Sequence, residues 1–551
     1  MGLKEMGVEA FRRQVLFGCF FVVVSILGLG QTMVCARDMS NLNSSNVLRY
    51  ALHTSKIGSL DPHFAKGSQD RTYADMVFSS LVRYTPGDAR NLEPDLATKI
   101  PQFIIRNGKQ IWTIHLRPGV MFHESPYLPA HELTAQDVVF SLEKAGNRET
   151  SLFSGGYQGM DFEIEDPHTL RIILETPISP LFFLPRIANW KGGFILSKQA
   201  VEAKGYKKFL SHPVGTGPFQ FQQYIPGDKL VLKSNDRYFR GKPRLEGIEI
   251  YFMPDNRARE AAYTAGQLDV IYGIGTPGWL AKMESQPNTR VDVFGPGYTG
   301  LFHFNTSVKP LDDIRVRQAF ACVMDRAAFM AATSARLVTP VLSPMSSVFL
   351  PGGLDNTKVE TLDLKFEINL DEARKLLTEA GVGDGFDLNL VVSEKRLYQK
   401  TYGVLKDQLK PLGIQVNITT VSHSQYHKMI RQNLNPIVLY FTFRPNADAY
   451  MRGFFHSDSI VKVGKNPNTN FSHYRGIDRL LDHALTTTDP RRQVMLWEQA
   501  QIKLLSDVMV FPLFDANQCS VRRTHVDYGH PLQSSLADYP LFNEKTRLII
   551  P

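Results

Sequence analysis

One uncharged apolar run, Val15–Gly30, stands at the head of the chain, and no second run of that length follows it. A polytopic membrane protein needs several such runs of about 20 residues, so that class is excluded. The rest of the 551 residues must therefore bury its apolar surface in cores of its own making. Composition agrees: 43% hydrophobic and 21% charged is ordinary for a globular chain and excludes disordered, collagenous and coiled-coil classes. Length alone suggests three or four domains.

The run itself reads as part of a secretory signal. Lys4, Arg12 and Arg13 precede it, and Val34-Cys35-Ala36 offers a small residue at the cut. Three glycines and its short length argue against an uncleaved spanning helix. Cys35 raises the question of lipidation, but the bulky Val34 before it is the wrong neighbour for that processing. Cleavage after Ala36 would remove Cys19 and Cys35 and leave Cys322 and Cys519. Those two could pair in an exported chain, or remain two buried thiols. The formal charge of +8 comes from 62 Lys and Arg against 54 Asp and Glu, with no basic block. That dispersed balance lacks the footprint of a nucleic-acid binder.

Along residues 37–551, strand and helix patterns alternate without a low-complexity linker. Strands are expected at 46–54, 111–116, 169–174, 229–233, 247–252 and 301–305. Helices are expected at 70–82, 256–266 and 314–329. Thr134 with Asp137 forms a capping box ahead of Val138, Val139 and Leu142. The second half has a βαβ rhythm: helix 371–380, strand 386–392, helix 401–412, strand 414–420. A buried strand is expected at 436–443, and Asp489-Pro490 opens a helix running to about Ser506. The predicted class is α/β.

Catalytic motifs are scarce. There is no Walker A loop and no G-x-S-x-G elbow. His131-Glu132 begins a zinc-protease pattern, but Ala135 stands where the second histidine belongs. Gly295-Pro296-Gly297-Tyr298-Thr299-Gly300 satisfies G-x-G-x-x-G, yet a strand pattern follows instead of the helix that would meet a pyrophosphate. His423 and His427 have an i, i+4 spacing that can hold a metal, although two histidines are more often a polar face. No catalytic residue, metal or cofactor is expected.

Several segments together resemble the family 5 extracellular solute-binding proteins, the dipeptide- and oligopeptide-binding proteins of ABC importers. They are Tyr50–His63 with its LDP turn; the strand at Leu116-Arg117-Pro118-Gly119-Val120-Met121-Phe122 leading to Thr134-Ala135-Gln136-Asp137-Val138; and Gly215-Thr216-Gly217-Pro218-Phe219. Tyr238 to Pro243, Gly266 to Asp269, Phe304-Asn305-Thr306 with Val316-Arg317-Gln318-Ala319, and Asp371 to Leu377 follow in order. HESPYLPAHE, at 123–132, is longer than the family's turn there.

The resemblance implies a two-lobed clamp of the class II binding-protein type with an extra inserted domain. Its expected parts are a signal at 1–36, lobe I from 37–85, 196–298 and 516–551, an inserted domain at 86–195, and lobe III at 299–515. It implies a monomer in the periplasm that captures peptides and delivers them to inner-membrane ABC permease subunits. The same clamp could take a nickel chelate, haem, a sugar or an opine-like compound. An exported hydrolase would need a nucleophile–base pair, which is not found.

By position, Asp448 is the expected anchor for a peptide α-ammonium; it could equally cap a helix. The family has an Asp-Pro pair in this loop, and Ala449 follows Asp448 here. Tyr298, Phe304, Asn305, Tyr440 and Thr442 are expected on the cleft wall, although Phe304 would suit a core. Arg444 could face a ligand carboxylate or pair with Asp448. Ser68 and Gln69 are expected to add polar contacts.

Overall fold

The computed structural model describes residues 46–444 and 446–549. The expected signal segment, with Cys19 and Cys35, lies outside the described residues. Among the described residues no helix is long and apolar enough to cross a membrane.

The first strand, β1 (Val47–Leu52), is where Leu48 and Tyr50 turn into the core and Arg49 turns out. The chain then makes the Asp61-Pro62 turn and enters α1 (Ser68–Val77). An inserted layer follows, with β2 (Gln102–Arg106), β3 (Lys109–His115), α2 (Ala135–Gly146), β4 (Met160–Asp166) and β5 (Thr169–Leu174). Its four strands form an antiparallel sheet in the order β2-β3-β5-β4. Trp112, Ile114, Leu170 and Ile172 supply its buried face under α2. Asp137 accepts the Thr134 N–H at 3.0 Å, so the capping box forms where the sequence spacing places it. A one-turn helix, α3 (Pro180–Phe183), leaves this layer.

The main sheet then gains β6 (Phe219–Ile225), β7 (Lys229–Ser234), β8 (Gly247–Phe252) and β9 (Val270–Tyr272). Two long strands, β10 (Thr289–Phe304) and, near the end of the chain, β14 (Val510–Arg523), complete its middle. Between them come α4 (Ile314–Ala321), β11 (Asp387–Ser393), α5 (Arg396–Leu409), β12 (Gln415–Val421), α6 (His423–Arg431), β13 (Ile437–Thr442), α7 (Ala447–Phe455), α8 (Asp478–Thr486) and α9 (Pro490–Ser506). The nine-stranded sheet has the order β13-β10-β14-β9-β1-β8-β7-β6, with Val338–Pro340 paired to β14 off that path. β1 lies parallel to β8 and β9, whereas β10 is antiparallel to both β13 and β14. β11 and β12 form a separate parallel pair joined by α5, which is the βαβ unit expected from the sequence.

The apolar residues gather into two main cores. One holds Tyr50, Trp112, Phe219, Ile250 and Tyr528; the other holds Phe302, Phe320, Tyr402, Leu439, Trp497 and Phe511. β10 and β14 enter the second core at one end, through Phe302 and Phe511, and two small clusters at the other, through Val521 and Cys519. Phe182 of α3 also belongs to the second core, where it meets Trp497 of α9 edge to face with ring centroids 5.8 Å apart.

Four local expectations need correction. The helix expected to reach Val82 stops at Val77, because Phe78 is extended and Asp95 accepts the Ser80 N–H. The helix expected at 314–329 breaks in two; Asp325 accepts the Ala327 N–H and caps a new helix, Arg326–Ala331. Helix α5 begins five residues before the expected Thr401. Residues 295–300 are not a loop but part of β10, with a register shift between Phe294 and Tyr298. Cys322 and Cys519 are both free and buried. Gly215 and Gly217 are required for close approach: a Cβ would lie 2.0 Å from the Val77 carbonyl oxygen in the first case and 2.5 Å from that of Met76 in the second.

A buried polar cluster ties the inserted layer to the first lobe. Lys144 of α2 donates to Asp61 at 2.7 Å and to the Thr150 carbonyl at 2.9 Å. Tyr206 also donates to Asp61, whose other oxygen takes the His63 N–H at 2.8 Å. Asp61 is fully buried and the Lys144 side chain nearly so. Removing one member of such a pair leaves the other charge in the interior unpaired. Lys144→Met should lower unfolding stability by about 3–5 kcal/mol in urea melts. Asp61→Asn added to it should recover part of that loss, since Asn keeps the oxygen that accepts from His63.

Candidate functional site

In open sheets, ligands sit beyond the carboxyl ends of parallel strands, where the chain leaves the sheet in loops. Here β1 and β9 end at Leu52 and Tyr272, and the chain beyond β1 runs through the Asp61 turn to the start of α1. His53 stacks on Tyr272 with centroids 4.0 Å apart, and Tyr539 shares a 2.6 Å hydrogen bond with the Nδ1 of His53. Beside them Asp538 accepts the Tyr298 hydroxyl at 3.0 Å. Tyr298 stands at the register shift of β10 and is 40% exposed. Burial and the Asp538 charge both push its hydroxyl well above the usual range. Asp538 has no ion-pair partner among the described residues.

At the start of α1 lies a cavity of about 100 Å³, bordered by Lys66, Ser68, Arg71, Phe153, Trp190, Lys191 and Leu536 among others. No carboxylate borders it. The Arg71 guanidinium lies over the Trp190 ring, 4.3 Å from its centroid, and its Nε reaches Asp75 at 3.2 Å. Arg71 Nη1 and Trp190 Nε1 are both buried without a hydrogen-bond partner. Lys191 has a φ of 55°, in the left-handed region that side chains enter at a cost. Its ammonium is held below its usual range, first by burial and then by the charge of Arg444. Arg444, just beyond β13, is thus near enough for its charge to act on Lys191.

The expected site residues divide into groups. Ser68 borders the cavity, whereas Gln69 folds its amide back over Gly67. Arg444 donates to Thr442 Oγ1 and to the Phe443 carbonyl, and it lies over the Phe454 ring. It does not pair with Asp448 and has no carboxylate partner. Thr442 is thus the buried support of Arg444. Phe304 is fully buried against Phe320, so it belongs to the core and not to a cleft wall. Asn305 is likewise buried; its amide nitrogen reaches Asn433 Oδ1 at 2.8 Å and the Asn435 carbonyl at 3.2 Å. It closes a turn and meets no cleft. Tyr440 packs against Phe454, Phe471 and His427, and its hydroxyl accepts from Arg431.

Asp448 is the second residue of α7 and is not the cap. Asn446 is, accepting the Ala449 N–H at 2.8 Å. Asp448 lies 3.3 Å from Arg452, one turn on, and burial raises its carboxyl to about 6 despite that neighbour. Proline favours the first position of a helix, and that position is Ala447 here.

His423 and His427 converge, but in a directed hydrogen-bond chain. Arg431 donates to His427 Nδ1 at 3.2 Å, so the Nε2 of His427 carries the proton and donates to His423 Nε2 at 3.0 Å. His423 Nδ1 then donates to Ser393 Oγ at 2.9 Å. Both imidazoles are neutral in this arrangement, and burial with the neighbouring charges lowers His427 to about 4.

Sequence reading missed Arg71, Trp190, Lys191 and Asp538. Arg71 reads as a polar position on a helix, and the other three stand in irregular backbone or beside it.

The site helix α7 rests on β10 through His303. Its ring stacks against both Phe454 and Phe455, and neither nitrogen has a hydrogen-bond partner among the described residues. Burial lowers His303 to about 3, and His63 and His123 to about 4. Between pH 6.5 and 4 the unfolded chain binds protons at these positions that the folded chain refuses, so stability falls as pH falls through that window. The Tm should therefore drop steadily from pH 6.5 to 4. His303→Leu should raise the Tm at pH 7, where two unsatisfied polar atoms are removed, and should flatten the acid side of the curve.

A model of the bacterial extracellular solute-binding proteins, family 5 Middle, matches residues 91–461. The dipeptide-binding protein of Escherichia coli K12 is 26% identical over 509 residues, covering 87% of this chain and 90% of that protein. The structure of MoaA from A. tumefaciens R10 in complex with mannopinic acid is 34% identical, with a TM-score of 0.69, and covers 92% of this chain and 100% of that one. HbpA2 of Haemophilus parasuis shares the fold, with a TM-score of 0.76 at 22% identity over 92% of this chain and 100% of that chain.

Proposed function

This chain belongs to the family 5 bacterial extracellular solute-binding proteins, and from that premise we propose that it captures short peptides in the periplasm, between two lobes, and hands them to the permease of an ABC importer. It carries no chemistry of its own in this reading. The observation that carries the ligand class is a pair of uncommitted charges of opposite sign. Among the described residues, Asp538, hydrogen-bonded to the half-exposed Tyr298, has no cation partner. Arg444, held by Thr442, has no carboxylate partner among them either. A solute with an ammonium and a carboxylate answers both, and charge-assisted hydrogen bonds of this kind contribute about 1.5–3 kcal/mol each. Of the two acids considered for the ammonium, Asp538 has no ion-pair partner among the described residues, whereas Asp448 lies 3.3 Å from Arg452, although its Oδ1 makes no hydrogen bond there.

A second reading has specific support. The 34% identical structure holds mannopinic acid, an opine and not a peptide. An opine-like solute also carries a carboxylate for the cations described above.

Denaturing the purified protein and identifying the released solute by mass spectrometry separates the two. A pool of short peptides supports the first reading; a sugar–amino acid conjugate replaces it with the second; a metal chelate or haem removes both. Asp538→Asn should abolish the rise in Tm produced by Ala-Ala, and Asp448→Asn should leave most of it. The reverse pattern would return the anchor to α7.

A further inference from the structure

We propose that the cavity at the start of α1 is a carboxylate subsite, in which Arg71 Nη1 and Trp190 Nε1 donate to one carboxylate of the captured solute. The inference rests on the reading of this chain as a solute-binding protein and names the chemical group that its first lobe recognises.

Unpartnered buried donors occur elsewhere in the molecule. Trp112 Nε1, Trp497 Nε1 and Tyr50 Oη are also without partners. Those three belong to side chains sealed in packed cores, each no more than 1% exposed. Arg71 and Trp190 differ in that both border one open cavity. Arg71 is itself 7% exposed, so its free Nη1 is a desolvated cationic donor. An unmade bond to such a group is unfavourable, more so for a charged donor than for a neutral one.

The geometry of Arg71 is fixed before anything binds. Asp75 holds its Nε, and the Trp190 ring lies under its plane. Asn189 donates to the other oxygen of Asp75 at 2.9 Å, which locks the carboxylate in turn. The unused Nη1 and the indole N–H are thus two donors from a rigid pair. Two donors bordering one cavity can serve the two oxygens of a carboxylate.

Charge points the same way. Lys66 and Lys191 border the cavity, Ser68 adds a hydroxyl, and no acid does. Asp75 neutralises Arg71 from behind and outside the cavity. Arg444 adds a further positive charge near Lys191. A carboxylate bound in the cavity would offset that repulsion. The volume, about 100 Å³, suits one small planar group and not a whole solute.

The test uses the full mature protein and isothermal titration with two acid–amide pairs: Ala-Ala with its C-terminal amide, and mannopinic acid with its amide. Trp190→Phe keeps the ring under Arg71 and deletes the indole donor. The expected result is that the acid binds wild type at least tenfold more tightly than the amide. Trp190→Phe should weaken the acid about tenfold, leave the amide unchanged, and leave the Tm of the unliganded protein within a degree or two. Equal affinity of Trp190→Phe and wild type for the acid would overturn the subsite, as would equal affinity of acid and amide for wild type. If neither acid binds, the peptide and opine readings both fall, and the subsite is judged on the solute extracted from wild type. Methyl esterification should then cost that solute at least tenfold in rebinding; an ester that rebinds as well as the untreated solute overturns the proposal.

Discussion

The ladder between β10 and β14 is the constraint on which the molecule depends. Twelve residue pairs join the two strands, from Thr289 opposite Arg523 to His303 opposite Val510. These strands join the second core, which holds Phe302 and Phe511, to the smaller clusters that hold Val521 and Cys519. Backbone hydrogen bonds keep the crossing intact whatever side chains the strands bear. The ladder is broken only by register shifts at Phe294/Tyr298 and Gly300/Leu301. A rotation of one lobe on the other would be absorbed most easily at those shifts, where fewer ladder bonds must be bent. Tyr298 sits at one of them, which couples a candidate ligand contact to the place where the strands can flex.

The same ladder explains which parts of the fold were legible in the sequence. β1, β3, β5 and α2 are local objects, each declared by its own period or cap: alternation in Val47–Leu52, the Thr134/Asp137 box, the Asp489-Pro490 start of α9. The parallel unit of β11, α5 and β12 was legible for the same reason. β10 was not, because residues 295–300 carry three glycines and a proline and so read as a loop. Tyr298, Thr299 and Gly300 stay extended because β14 supplies bonding partners from more than 200 residues away in sequence, and Gly295 bonds to the chain at 533–535. Long-range pairing of that kind leaves no local trace. The split at Asp325 was hidden for the opposite reason: apolar residues at helical spacing continue through it, and only the capping carboxylate marks the boundary.

Site residues were less legible than elements. The resemblance pointed to the loop that holds Arg444 and Thr442, which hydrogen-bond to one another, yet it could not say which acid stays free. Asp448 looked like the anchor because it is the acid in the segment. Arg452, four residues on, is the natural partner of an acid on a helix face, and in the folded chain it takes that part. Phe304 and Asn305 were drawn toward the cleft by their neighbours in sequence, but each turns inward, one into the core and one into a turn. Trp190 and Lys191 come from an inserted layer about 120 residues from Arg71 in the chain, and no local pattern could have joined them.

Fold and ligand are therefore set by separate parts of this chain. The ladder and the two cores would serve any member of the family equally, and the relatives bound to different solutes attest to that freedom. The groups that discriminate are few, and they are identifiable by what they lack. A folded protein seldom leaves a desolvated guanidinium nitrogen and an indole N–H without acceptors, because each such group weakens the unliganded state. Grouped around one cleft, they lower the stability of the empty clamp relative to the filled one. The free energy withheld on folding then reappears as affinity for an acceptor that fits, and a solute lacking the carboxylate forfeits it. Selectivity between acid and amide would follow from the unsatisfied donors of the empty protein, with no need for a contact that excludes the amide by shape.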